Sequence, residues 1–150
     1  MGFWTNFWPK GVRKLRVNKI VLDSAAVLAM TQCEPGGERV EALLDSNALG
    51  ADLQVLMSWI NWCEVLTRSQ RDNPEMTAEE LTAALAGVEF VPFGPIDAEI
   101  ASNYALVSRA LSLGDRACLA LAKTVGATAW TADRMWIQFQ LDVPIELIRP

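Results

Sequence analysis

The chain has 150 residues, 51% hydrophobic and 21% charged, a balance that fits one globular domain and excludes a disordered chain. It carries a net charge of −5 and no histidine, which removes Ser-His-Asp and Cys-His catalysis, imidazole acid–base chemistry and histidine-ligated zinc. The charge is uneven. Lys10, Arg13, Lys14 and Arg16 put +4 on residues 1–16 and leave −9 on the rest, so the broad basic surface of a general nucleic-acid binder is lacking.

Residues 1–16 place Phe3, Trp4, Phe7 and Trp8 at spacings that would share one helical face, with the four basic residues behind them. Pro9 and Gly11 interrupt any such helix, so a disordered or weakly docked N-terminal extension is expected, ahead of a domain over residues 17–150. The run 17–22 reads as a β-branched buried strand, followed by a short helix over 24–30. Glu34-Pro35-Gly36-Gly37 breaks the chain before a helix over about 38–45. A strand over 53–58 precedes a helix over 61–71, and Thr77-Ala78-Glu79-Glu80 opens another with capping-box chemistry. A strand over 88–92 leads to a helical pattern over 97–111 and a further helix from 112 or 115 to 124, closed by Gly126. Strand 127–131, a short helix over 133–139 and strand 145–148 complete the chain. Strands alternating with helices specify an α/β fold with a parallel sheet covered on both faces.

Cys33, Cys63 and Cys118 are odd in number and far apart, which argues against a disulfide framework or a zinc site and for buried free thiols in a reducing cytosol. No apolar run approaches the roughly 18 residues of a membrane span, and no secretory signal is recognisable. A cytoplasmic protein is therefore expected.

Four acids stand in or beside apolar runs: Asp23 after Lys19-Ile20-Val21-Leu22, Glu64 within Trp59–Leu66, Asp115 opening a helix, and Asp133 after Ala129-Trp130-Thr131-Ala132. A carboxylate beside buried chain is costly unless it is paired or binds a cation. In an open α/β sheet, residues that follow the strands gather at one edge, so separations of 41, 51 and 18 residues can collapse into one cluster. Such a cluster suits Mg²⁺ or Mn²⁺, which take oxygen ligands. Each acid also has a plainer reading. Asp23, Asp115 and Asp133 could cap helices, and Glu64 could pair with Arg68 one turn on. Ser24, Asn61, Ser112 and Thr131 flank the acids and could hydrogen-bond them or their bound waters, or in the case of Ser112 and Thr131 simply cap. Arg116 and Arg134 could contact phosphate or neutralise the acids, while Trp59, Trp62, Trp130 and Trp136 read as core or interface rather than base-stacking platforms.

Ile20-Val21-Leu22-Asp23-Ser24-Ala25, Asn61-Trp62-Cys63-Glu64-Val65-Leu66, the stretch from Ser112-Leu113-Gly114-Asp115-Arg116 to Ala122, and Thr131-Ala132-Asp133-Arg134 together resemble the PIN domain, and more narrowly the VapC-type toxins of bacterial type II toxin–antitoxin modules. The resemblance covers residues 17–150; Ser-Leu-Gly-Asp-Arg is its most specific piece, and residues 1–16 depart from the pattern. It implies a three-layer α/β/α fold with a five-stranded parallel sheet in the order 3-2-1-4-5. It also implies a Mg²⁺- or Mn²⁺-dependent endoribonuclease with Asp23, Glu64, Asp115 and Asp133 as catalytic metal ligands, an RNA substrate, homodimerisation and inhibition by a small antitoxin. A phosphoaspartyl phosphatase is disfavoured, since position 25 is Ala where Asp-x-Asp is needed, and a phospho-receiver lacks its paired acids. The remaining alternative is a non-catalytic RNA- or partner-binding scaffold whose acids are structural.

Overall fold

The computed structural model describes residues 17–150; the expected N-terminal extension lies outside the described residues. Its five strands are β1 (Asn18–Leu22), β2 (Leu53–Ser58), β3 (Glu89–Val91), β4 (Thr128–Thr131) and β5 (Ile145–Leu147). Six helices connect them: α1 (Ser24–Thr31), α2 (Gly37–Ala48), α3 (Trp59–Asp72), α4 (Ala78–Ala84), α5 (Pro95–Val107) and α6 (Leu113–Val125). A 3₁₀ turn over Arg134–Gln138 stands where a short helix is expected.

All strand pairs are parallel and the order is β3-β2-β1-β4-β5, so the first strand in sequence lies at the centre. β1 owes that place to its composition: Val21 and Leu22 have no exposed surface, as a strand covered on both faces requires. Alternation then assigns the two layers. Ile20, Leu22, Val55 and Met57 face a core built with Val27, Val40, Val65 and Leu81 from α1 to α4. Val21, Leu56 and Ala129 face a second core with Tyr104, Cys118, Leu119 and Trp136. Arg39 of α2 ties this frame to the sheet edge, pairing with Glu146, donating to the Leu147 carbonyl and lying 5.4 Å from the Trp130 ring centre.

Caps explain most element ends. Ser58 accepts from the Ile60 amide, so α3 starts directly at Trp59, two residues before the expected Asn61. Thr77 and Glu80 form the expected capping box, and Gly126, with φ 69°, closes α6 in the left-handed conformation that glycine adopts freely. One expectation fails in the middle of the chain. The pattern 97–111 is a helix only to Val107, because Ser108 is extended and lets Leu111 turn into the second core. At its start, Asp97 accepts from the Gly94 amide at 2.8 Å and Pro95 occupies the first turn.

The cysteines also differ from expectation. Only Cys118 is buried; Cys33 and Cys63 are exposed, Cys33 at the end of α1 with φ 53° and Cys63 on the outer face of α3. No helix among the described residues is long and apolar enough to cross a membrane.

Candidate active site

Four segments bring the acids to the carboxyl edge of the sheet. β1 ends one residue before Asp23, and β4 ends two residues before Asp133. α3 springs directly from β2 and carries Glu64 in its second turn, while Asp115 sits in the first turn of α6. Asp115 and Glu64 both raise the Asp23 carboxyl, and Asp133 and Glu64 both raise that of Asp115. All four expected acids therefore belong to one electrostatic cluster.

Asp23 is its buried centre, 2% exposed and without an ion pair among the described residues. Burial first, then the charge of Asp115, raises its carboxyl to about 7, against the opposing effect of the Thr131 hydrogen bond. Thr131 Oγ1 donates to Asp23 Oδ2 at 2.8 Å while accepting from the Asp133 amide at 3.0 Å, so one hydroxyl links two of the acids. Asn61 Nδ2 donates to Asp23 Oδ1 at 3.4 Å. Asp115 is also raised, mainly by burial and less by its acidic neighbours, with Ser112 opposing.

Each of the other acids is held by a local donor. Glu64 Oε2 accepts from Ser24 Oγ at 2.8 Å, and its Oε1 lies 4.0 Å from Arg68, so the Arg68 pairing coexists with the cluster. Asp115 Oδ2 accepts from the Ser112 amide at 2.7 Å, and Ser112 Oγ accepts from the Asp115 amide at 3.1 Å. Asp133 Oδ1 accepts from the Met135 amide at 2.9 Å. Two of the three suspected caps are thus real. The repelling carboxylates are splayed onto neutral donors, and no three acidic or cysteine side chains among the described residues are arranged to hold one ion as they stand.

The flanking polar residues divide. Ser24, Asn61 and Thr131 each hydrogen-bond an acid side chain directly, whereas the Ser112 hydroxyl serves the Asp115 amide. Arg116 turns away from the acids, reaching the Ser112 carbonyl at 3.3 Å and the Ala101 carbonyl at 3.5 Å; Arg134 is exposed beside Asp133. Trp59 and Trp62 both pack on Phe90, and Trp136 is buried, in keeping with core and surface packing roles.

Gly114 enters the sequence reading only as part of Ser112–Arg116, with no role of its own. A Cβ built there would stand 2.5 Å from Glu64 Oε2, and its carbonyl accepts from Asn61 Nδ2 at 2.9 Å. The available signal was a helix-weakening glycine in the first turn of α6, directly before an acid of the cluster.

Comparison with known proteins gives the family. The PIN domain profile matches residues 20–140. The chain belongs to the PIN domain family. No curated protein sequence matches it. Among solved structures, this PIN domain superposes on VapBC-1 from nontypeable Haemophilus influenzae with a TM-score of 0.62 at 16% identity, covering 87% of this chain and 98% of that one. It superposes on VapC20 of Mycobacterium tuberculosis, a sarcin–ricin loop cleaving toxin, with a TM-score of 0.60 at 16% identity, covering 83% and 99%. FitAcB from Neisseria gonorrhoeae gives 0.58 at 20% identity, covering 86% and 97%. At these identities the likeness shows a shared fold.

Proposed function

We propose that this PIN domain is a divalent-metal-dependent endoribonuclease and the toxin of a toxin–antitoxin pair. The observation that carries the reading is Asp23: a buried carboxylate ringed by the charges of Glu64 and Asp115, with no ion pair among the described residues. A cluster so placed is stabilised by a cation, and its all-oxygen donor set suits Mg²⁺ or Mn²⁺. Asp23, Glu64, Asp115 and Asp133 are the residues that would hold it. When bound, such an ion supplies Lewis acidity that activates water and offsets charge on the scissile phosphate.

The chain's own groups do the rest. Thr131 and Asn61 orient the Asp23 carboxylate, and Ser24 orients that of Glu64. With histidine absent, any proton taken up by a side chain at this edge goes to a carboxylate, and burial raises the Asp23 carboxyl to about 7. Arg134, exposed and next to Asp133 in sequence, and Arg68, 4.0 Å from Glu64, are the cations available for a phosphate, whereas Arg116 is occupied on carbonyls of α5 and Ser112.

The partner reading rests on the rim. Leu113, Met135, Ile137 and Trp59 are 51%, 45%, 61% and 48% exposed and lie on the segments that carry the acids, so exposed apolar side chains accompany a negative centre. A short antitoxin helix with one basic side chain directed at the acids fits both properties. A toxin–antitoxin complex from Klebsiella pneumoniae that shares this fold supports the reading.

A non-catalytic scaffold is favoured by one observation, that Asp115 and Asp133 cap helical segments. Incubating purified chain with RNA, chelator and then excess Mn²⁺ separates the two. Cleavage that needs the ion and vanishes in Asp115→Asn supports the nuclease, and intact RNA under all conditions supports the scaffold.

A further inference from the structure

Asn61 is fully buried, yet its amide is used unevenly. Nδ2 is shared among the Gly114 carbonyl at 2.9 Å, Ser24 Oγ at 3.1 Å and Asp23 Oδ1 at 3.4 Å. The Gly114 carbonyl has no proton to give, which fixes Nδ2 on that side and leaves Oδ1 buried without a donor. A residue kept only for packing would be apolar here, because an unpaired buried acceptor is unfavourable. The arrangement instead joins three elements at one atom: α1 through Ser24, the end of β1 through Asp23, and the first turn of α6 through Gly114.

Gly114 supplies the complementary half. Its missing side chain is the space occupied by Glu64 Oε2, since a Cβ would approach within 2.5 Å of that oxygen. The displaced atom would be the end of a flexible side chain, so a methyl group there moves the carboxylate far more readily than the backbone.

We propose that Asn61 and Gly114 are a positioning pair: the Asn61 amide pins the first turn of α6 against α3, and the bare Gly114 Cα seats the Glu64 carboxylate opposite Asp23 and Asp115. The proposal rests on the nuclease reading and deepens it. Neither residue ligates an ion; both set where an acid stands.

Calorimetric titration of the full chain with Mn²⁺ alone, without RNA, tests it. Gly114→Ala should weaken Mn²⁺ binding on the order of 10- to 100-fold, the usual cost of disturbing a ligand's support. Its melting temperature in chelator should stay at or above that of the parent, since alanine favours the helix. Asn61→Leu should weaken binding comparably; should it fail to fold, Gly114→Ala still decides. Shortening the acid relieves the clash, so Gly114→Ala should cost markedly less affinity in a Glu64→Asp background. Parental Mn²⁺ affinity in Gly114→Ala, or an equal loss in both backgrounds, would overturn the positioning pair and leave the nuclease reading standing. A parent chain that binds no Mn²⁺ would overturn both.

Discussion

Asp23 occupies the least favourable place in the molecule for a carboxylate, and its titration carries a testable sign. Its folded value, about 7, lies above the ordinary 3.8, so between these values the folded chain holds a proton that the unfolded chain has lost. In metal-free protein Asp23 therefore contributes stability that is full below about pH 4 and is lost as pH rises through 7. A shift of this size corresponds to at most roughly 4 kcal/mol. Urea unfolding in chelator should show Asp23→Asn more stable than the parent at pH 8 and nearly equal at pH 4.5. A parent that gains stability relative to Asp23→Asn as pH rises would contradict the assignment. The sequence displayed these acids because each interrupts an apolar run. It did not display Gly114 as the seat of Glu64, because that contact joins residues 50 positions apart through the absence of an atom.

Among the elements, α6 combines structure with the site. Ser112 caps it and in return receives the Asp115 carboxylate, so Ser112→Ala should lose about 1 kcal/mol on urea unfolding and free Asp115 to move. A tighter constraint joins α1 and α2. A Cβ at Gly37 would strike the Ala29 carbonyl, a backbone atom that cannot turn aside. Gly37→Ala should therefore destabilise by at least about 2 kcal/mol, despite alanine's better helix propensity, with no effect specific to metal binding. Every strand and helix was legible from alternation, caps and breakers. Ends were less so. Ser108 to Leu111 has helix-compatible composition, and only the docking of Leu111 in the core decides that the chain leaves the helix at Val107. Cys33 and Cys63 were misjudged as buried for a related reason: cysteine composition predicts average burial, whereas the helix face is set by neighbours such as Trp62 and Val65, which take the inward positions of α3.

At the scale of the whole molecule, a parallel sheet in the order β3-β2-β1-β4-β5 makes a nuclease reading possible from dispersed residues, by delivering four acids from distant segments to one edge. The described residues carry net negative charge, so tight binding of free RNA is not expected, and under the proposed function the substrate would be held locally, through the metal and nearby arginines. Removing residues 1–16, which bear the basic cluster, should leave cleavage of a short RNA within about twofold, or about 0.4 kcal/mol in barrier. A tenfold loss recovered at low salt would assign substrate binding to that segment. The central claim is that the acid cluster works through a divalent ion, and the most direct measurement is cleavage of a defined RNA by purified chain as Mn²⁺ is titrated after exhaustive chelation, beside Asp23→Asn and Glu64→Gln. The parent should give no cleavage in chelator and recover it with Mn²⁺ or Mg²⁺, and either variant should give at least about a hundredfold less while both remain folded by circular dichroism. Cleavage that persists in chelator, or that survives in both variants, would contradict the claim.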